Sequence, residues 1–136
     1  MQFDTKIAII LRDDLATWQK LNVTAFISGA LVGQSPDLIG DTYIDGSGQQ
    51  YLPMIRQPIM IFIADAEKIR KTYERAIRRE VRFALFTNEL FATGNDVDNR
   101  QAVLAVKSED LDVVGMALRD DKKTVDKIVK GLKLHG

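Results

Sequence analysis

The stretch from Pro58 to Arg79 leaves little freedom: it reads as a buried strand running straight into a charged helix. Ile59 to Ala64 (IMIFIA) is apolar at every position, as expected of a strand covered on both faces. Asp65 follows, and its side chain can accept hydrogen bonds from the free amides that open a helix. Ala66 to Arg79 then carries an apolar stripe at Ile69, Tyr73, Ala76 and Ile77. Glu67–Lys71 and Glu74–Arg78 are spaced four apart with the acid first, the favourable order for helical ion pairs. The chain opens in the same way. Lys6 to Arg12 (KIAIILR) reads as a buried central strand, and Asp13-Asp14 ends it. Leu15 to Val32 reads as a helix with Trp18, Leu21, Ala25, Ser28 and Val32 on its apolar face and Gly33 as its C-cap.

Between these two units, Gln34 to Pro58 is irregular. Asp45-Gly46 between Thr42–Ile44 and Gln49–Leu52 signals a hairpin. Val81 to Thr87 predicts a further strand, and Asn88 to Arg100 a loop with one helical turn at Glu89-Leu90-Phe91. Ala102 to Lys107 and Val113 to Leu118 predict two strands paired as a hairpin through the short link Ser108–Leu111. The last helix is expected over Lys122 to Leu134, capped by Asp121, with Val125, Ile128, Val129 and Leu132 facing inward and Lys130 and Lys133 at its cation-favouring end. This alternation predicts an α/β fold. The expected form is one domain over residues 1–136, a three-layer sandwich with helices on both faces of a mixed sheet of four to five strands. Ligands of such sheets bind beyond the carboxyl ends of the strands, here Arg12-Asp13-Asp14 and Thr87-Asn88-Glu89.

Composition narrows the chemistry. The chain has no cysteine, which removes disulfides, thiolate zinc sites and cysteine nucleophiles. Nineteen basic and nineteen acidic side chains balance, so no global field draws the protein to phosphate polymers or anionic membranes. The N-terminal apolar run is too short for a signal peptide, and no run is long enough to span a membrane, so a cytoplasmic protein without membrane contact is expected. No metal site or cofactor is expected either.

Two segments resemble type-2 peptidyl-tRNA hydrolases. Arg12-Asp13-Asp14-Leu15 is similar to the Arg-x-Asp-Leu junction that leads from strand to helix in that family. Asp126-Lys127-Ile128, Gly131 and Leu132-Lys133-Leu134 are similar to its closing helix. A nearer resemblance is to the domain-of-unknown-function family numbered two thousand, a branch of the same superfamily, in the segment Leu21-Asn22-Val23-Thr24-Ala25-Phe26. The resemblance implies the hydrolase fold but also exposes departures. The hydrolase helix carries a lysine and, four residues on, a glutamine; those positions here hold Asn22 and Phe26. Lys20 is two residues off, about 200° around the helix, and should point away from the cleft. Where the hydrolase loop reads Asp-Ala-Gly-Arg-Thr-Gln, this chain reads Asn88-Glu89-Leu90-Phe91-Ala92-Thr93. Ester cleavage on a polyanion needs fixed cations or donors at the developing oxyanion, and the lost lysine removes one.

The candidate ligand-binding residues are therefore Asn22, Phe26, Asp14, Trp18, Thr87, Asn88 and Glu89, with no catalytic or metal-ligating set among them. Each has a plainer reading. Asn22, Thr24 and Ser28 can belong to a helix lying close on the sheet through its small residues. Thr87-Asn88-Glu89 can be a local cap. Asp13-Asp14 can cap the following helix, the favoured reading for adjacent turn carboxylates. Trp18 can be packing. His135, the sole histidine, is expected to be exposed and frayed at the chain end. Lys68, Arg70, Lys71, Arg75, Arg78, Arg79 and Arg82 form a basic cluster, interrupted by Glu67, Glu74 and Glu80; paired charges on a solvated helix are its default reading, and nucleic-acid binding is disfavoured. Three functional readings result. The first is a small-molecule or protein-binding module in which Asn22, Phe26, Thr87 and Asn88 line the old cleft. The second is a hydrolase in which Lys20, Glu89 or Thr93 takes over lost roles. The third is a structural homodimer built on Tyr43, Tyr51 and Leu52.

Overall fold

The computed structural model describes residues 2–136. Seven strands and four helices follow in the order β1 (Thr5–Arg12), α1 (Thr17–Gln34), β2 (Tyr43–Ile44), β3 (Gln50–Tyr51), β4 (Ile59–Ala64), α2 (Ala66–Arg78), β5 (Phe83–Thr87), α3 (Asp96–Leu104), β6 (Val113–Asp121), α4 (Lys122–Ile128) and β7 (Lys133–Leu134). Five strands form a mixed sheet in the order β5-β6-β1-β4-β7, and β2 and β3 make a separate hairpin. β1 runs parallel to β4 with Ile9 opposite Ile61, and antiparallel to β6 with Ile9 opposite Ala117. β5 is antiparallel to β6 and so runs with β1 and β4. The carboxyl ends of β1, β4 and β5 thus gather at one end of the sheet, beside the start of β6.

Two cores explain the layering. On one face Ala8, Ile10, Phe62, Met116 and Leu118 meet Ile69, Tyr73 and Ala76 of α2 and Val125 and Ile128 of α4. On the other, Ile7, Ile9, Leu11, Val114 and Ala117 meet Val23, Ile27 and Leu31 of α1. β1 and β6 are apolar without alternation because both of their faces are covered. β4 and α2 appear where their sequence placed them, and Asp65 accepts from the Lys68 amide at 2.8 Å. Asp121 likewise caps α4 through the Thr124 amide. The Asp45-Gly46 hairpin forms with Tyr43 opposite Tyr51.

Four expectations are corrected. First, α1 buries Val23, Ile27 and Leu31, while Trp18 and Leu21 are more than 60% exposed. The helix is apolar on nearly every side, so spacing could not fix which side meets the sheet. Its close approach depends on the sheet and not on its own small residues. Gly29 and Gly33 face open space, whereas a Cβ on Gly115 of β6 would overlap Val23 Cγ1. Second, α1 runs through Gly33 to Gln34 and stops before Pro36, which cannot continue a helix. Third, Ala102 to Leu104 ends a helix, α3, and β6 pairs with β1 and β5, so no hairpin joins 102–107 to 113–118. Asn95 opens that helix by accepting from the Asp98 amide at 2.9 Å, a start signal that an apolar-run reading overlooks. Fourth, the terminal helix ends at Ile128. Gly131 adopts φ +87°, a left-handed conformation suited to glycine, and turns the chain into β7 against β4. This edge strand also ties down His135, whose amide donates to Ile61 O at 2.9 Å, so the chain end is exposed but not frayed.

Candidate functional site

Beside the edge strand β5, α1 and the segment from Leu90 to Leu104 stand apart and leave a groove. It has two adjoining parts. The larger, about 640 Å³, is apolar, with Phe26, Ala30, Phe86, Leu90, Val103 and Leu104 on its walls. The smaller, about 470 Å³, holds Trp18, Asn22, Phe91, Thr93, Asn95 and Asn99. Phe26, Phe86, Leu90, Asp96 and Asn99 belong to both.

An aromatic row runs along it. Trp18 meets Phe91 edge-on at 5.9 Å between centroids, Phe91 meets Phe86 at 5.1 Å, and Phe86 meets Phe26 at 6.2 Å. These distances fall in the range where ring pairs attract beyond simple burial. Phe26 remains 62% exposed, so its ring is presented to the groove more than spent on the core. Apart from Asp96, which is paired with Arg100, the polar part is built of neutral groups. The Thr93 hydroxyl donates to Leu90 O at 2.9 Å and touches the Asn99 side-chain amide. The second contact is to the Asn99 side-chain oxygen, and a hydroxyl with one proton to give serves Leu90 O or Asn99 Oδ1, one at a time. Asp96 and Arg100 pair with each other on the far wall.

The predicted residues divide into two groups. Trp18, Asn22 and Phe26 lie on successive turns of α1 and line the groove together. Asp14, Thr87, Asn88 and Glu89 are at the sheet end but do not line it. Asp14 does not cap α1; it binds Arg12 at 2.7 Å, and Arg12 also holds Asp112 across the strand end. Burial works against the Arg12 charge, but hydrogen bonds to Asp14 and Asp112 outweigh it and raise its pKa further. The cap role falls to Gln19, whose side-chain oxygen accepts from the Ala16 amide at 2.9 Å. Thr87 is 1% exposed and its hydroxyl has no partner; Glu89 Oε2 is enclosed and likewise unpartnered. The Asn88 amide donates to Asp112 O at 2.9 Å.

Lys20 points toward the opposite edge of the sheet, where its ammonium meets His135 Nε2 at 3.1 Å. No lysine lines either part of the groove. Among the described residues no three His, Cys, Asp or Glu side chains come together as a metal site, and no helix is long and apolar enough to cross a membrane. Phe86, Phe91, Asn95, Asn99 and Leu104 were absent from the sequence-based set, and Thr93 entered only through the hydrolase reading. Only the Asn95–Asp98 cap spacing hinted that a helix, and hence a second wall, follows β5.

Comparison with known proteins agrees with this fold. The family described as "Protein of unknown function (DUF2000)" matches residues 5–136. Among solved structures, the chain is similar to a protein of unknown function from Agrobacterium tumefaciens strain C58. The two share 51% identity and a TM-score of 0.97, over 99% of this chain and 100% of that one. No curated protein matches.

Proposed function

The chain belongs to the DUF2000 family of proteins of unknown function, and from that premise we propose that it is a binding module for a small amphipathic molecule, on a hydrolase-like scaffold whose cleft has been re-cut. The supporting observation is the aromatic row from Trp18 to Phe26, which joins an apolar trough to a mouth where neutral amides outnumber the one carboxylate, Asp96, itself paired with Arg100. A volume of about 640 Å³ suits one small ligand. The apolar body would lie on Phe26, Phe86 and Val103, and a neutral hydrogen-bonding head would meet Asn22, Thr93 and Asn99. Uncharged amides favour a carbonyl, amide or hydroxyl over a phosphate or carboxylate, because they supply dipoles and no net charge.

The hydrolase reading fares worse on chemistry. Lys20 is engaged by His135 at the far edge, and Phe26 replaces a polar group with a ring that cannot polarise a carbonyl. Incubation with a peptidyl-tRNA should give no turnover; turnover lost on Lys20→Ala or Glu89→Gln would reverse this reading. The binding proposal has its own reporter. Trp18, the only tryptophan, stands at the groove mouth. Titration with a panel of small apolar amides and a hydrophobic dye should shift its emission, and Phe26→Ala should weaken the effect about tenfold or more, the loss expected of a large buried contact. A panel that leaves the emission unchanged, or binding indifferent to Phe26→Ala, would overturn the proposal.

A further inference from the structure

The opposite face of the sheet carries a second concavity, between α2 and the end of α4. Its volume is about 590 Å³ and it is lined by five cationic side chains alone: Arg75, Arg78, Arg79, Lys127 and Lys130. A neighbouring hollow shares Arg75 and Lys130 and adds Lys68 and Lys71. On a chain of zero net charge, this is a strong segregation.

A solvated helix face normally interleaves its acids with its bases, and the sequence suggests it should do so here. The structure directs the acids elsewhere. Glu74 pairs with Arg70 at 3.5 Å and leaves Arg78 alone, contrary to the expected Glu74–Arg78 pair. Glu67 takes Lys71, as its spacing predicts, and Asp126 of α4 takes Lys6 of β1. Among the described residues, Lys68, Arg78, Arg79, Lys127 and Lys130 form no ion pair. Arg75 also lacks one, but it has a structural duty. Its Nη1 donates to Ile128 O at 3.3 Å and Lys130 O at 3.0 Å, closing the carbonyl end of α4 and drawing the two cationic rows together. The five cations line one hollow, so their charges share a single solvent-filled space. The cations therefore repel one another unless an anion sits among them.

We propose that this trough binds a condensed phosphate chain, recognised through its phosphates alone. The density of cations selects adjoining phosphates. A nucleic-acid backbone spaces its charges by a sugar and would place few of them in so small a hollow. No aromatic ring lines either hollow, so nothing is offered for a base to stack on. The same chemistry comes from free polyphosphate or from the tail of a nucleoside triphosphate.

Calorimetric titration of the full chain with tripolyphosphate, orthophosphate, ATP and adenosine separates these. Tripolyphosphate should bind at least about tenfold tighter than orthophosphate, since it engages several charge-assisted bonds at once. ATP binding near tripolyphosphate, with none by adenosine, assigns the tail of the nucleotide as a ligand; ATP binding much weaker than tripolyphosphate assigns the free chain. Either supports the site. Affinity should fall with added salt. Arg79→Ala and Lys130→Ala should each lose about tenfold, Arg79→Lys should retain most of the binding, and Phe26→Ala in the groove should change nothing. Both substituted side chains are exposed, and an unchanged melting temperature confirms the fold. Equal affinity for orthophosphate and tripolyphosphate, indifference to Arg79→Ala and Lys130→Ala together, or tighter binding of a single-stranded oligonucleotide than of tripolyphosphate would overturn the proposal.

Discussion

α1 and α2 cover opposite faces of one sheet and do so by opposite means. α2 is strongly amphipathic. Ile69, Tyr73 and Ala76 are buried, and lysines and arginines occupy most of the rest of its surface. α1 has few charges and apolar residues on nearly every side, of which only Val23, Ile27 and Leu31 are buried. What each helix does not use on the sheet becomes its surface. Around α1 the surplus is Trp18 and Phe26, and it makes an apolar groove. Around α2 the surplus is positive charge, and it makes a cationic trough. The comparison teaches that a helix with one clear apolar stripe reveals its orientation in sequence, while a helix apolar all round hides it and leaves apolar surface free for a ligand.

The sharpest way to break this comparison is at neighbouring positions of α1. Ile27, 3% exposed, should cost about 2–5 kcal/mol when cut to alanine. Phe26, one residue earlier and 62% exposed, should cost far less stability while removing groove binding. Urea unfolding of the two variants measures both, and comparable losses would mean that Phe26 belongs to the core. The next test concerns how closely α1 sits on the sheet. Gly115→Ala places a methyl against Val23 and should cost about 1–3 kcal/mol in the same assay. Gly29→Ala, which meets open space in the helix, should leave stability unchanged or raise it by about 0.4–1 kcal/mol. A third test asks how firmly the second wall of the groove is held. No residue of α3 is buried, so its amides should exchange hydrogen far faster than those of α2, and ligand binding in the groove should slow them. Equal protection of α2 and α3 in the free protein would contradict the loosely held wall. The smallest effect concerns acid. The Asp121 carboxyl is held below its ordinary pKa by the Thr124 amide and hydroxyl. Its contribution to α4 is therefore present above the unfolded value near 3.9 and is lost as pH falls through the lower folded value. Amide signals of Lys123 and Thr124 should move in that acid window, and Asp121→Asn should flatten the response.

Much of the scaffold was legible because its signals are local. A six-residue apolar run specifies β4, and Asp65 and Asp121 mark helix starts by bonding amides three residues ahead. Asp45-Gly46 marks the hairpin. Of the site, Asn22 and Phe26 could be found through the resemblance to the hydrolase helix, and Trp18 stands one turn before them on the same side of α1. Their partners could not. Phe86 lies in a strand, Phe91 in a turn and Leu104 in a helix whose apolar end reads as a strand, and nothing in their spacing ties them to α1. The tertiary structure alone decided which side of α1 meets the sheet, because Gly115 gives Val23 the room to approach. It alone broke the terminal helix at Gly131, because β4 offered an edge for the returning chain to pair with. It also decided which acids neutralise which bases, since Asp126 takes Lys6 from a strand 120 residues earlier and leaves the trough charged. Caps and apolar runs act over a few residues of the same chain segment, whereas orientation, edge pairing and charge matching depend on what the rest of the chain brings alongside.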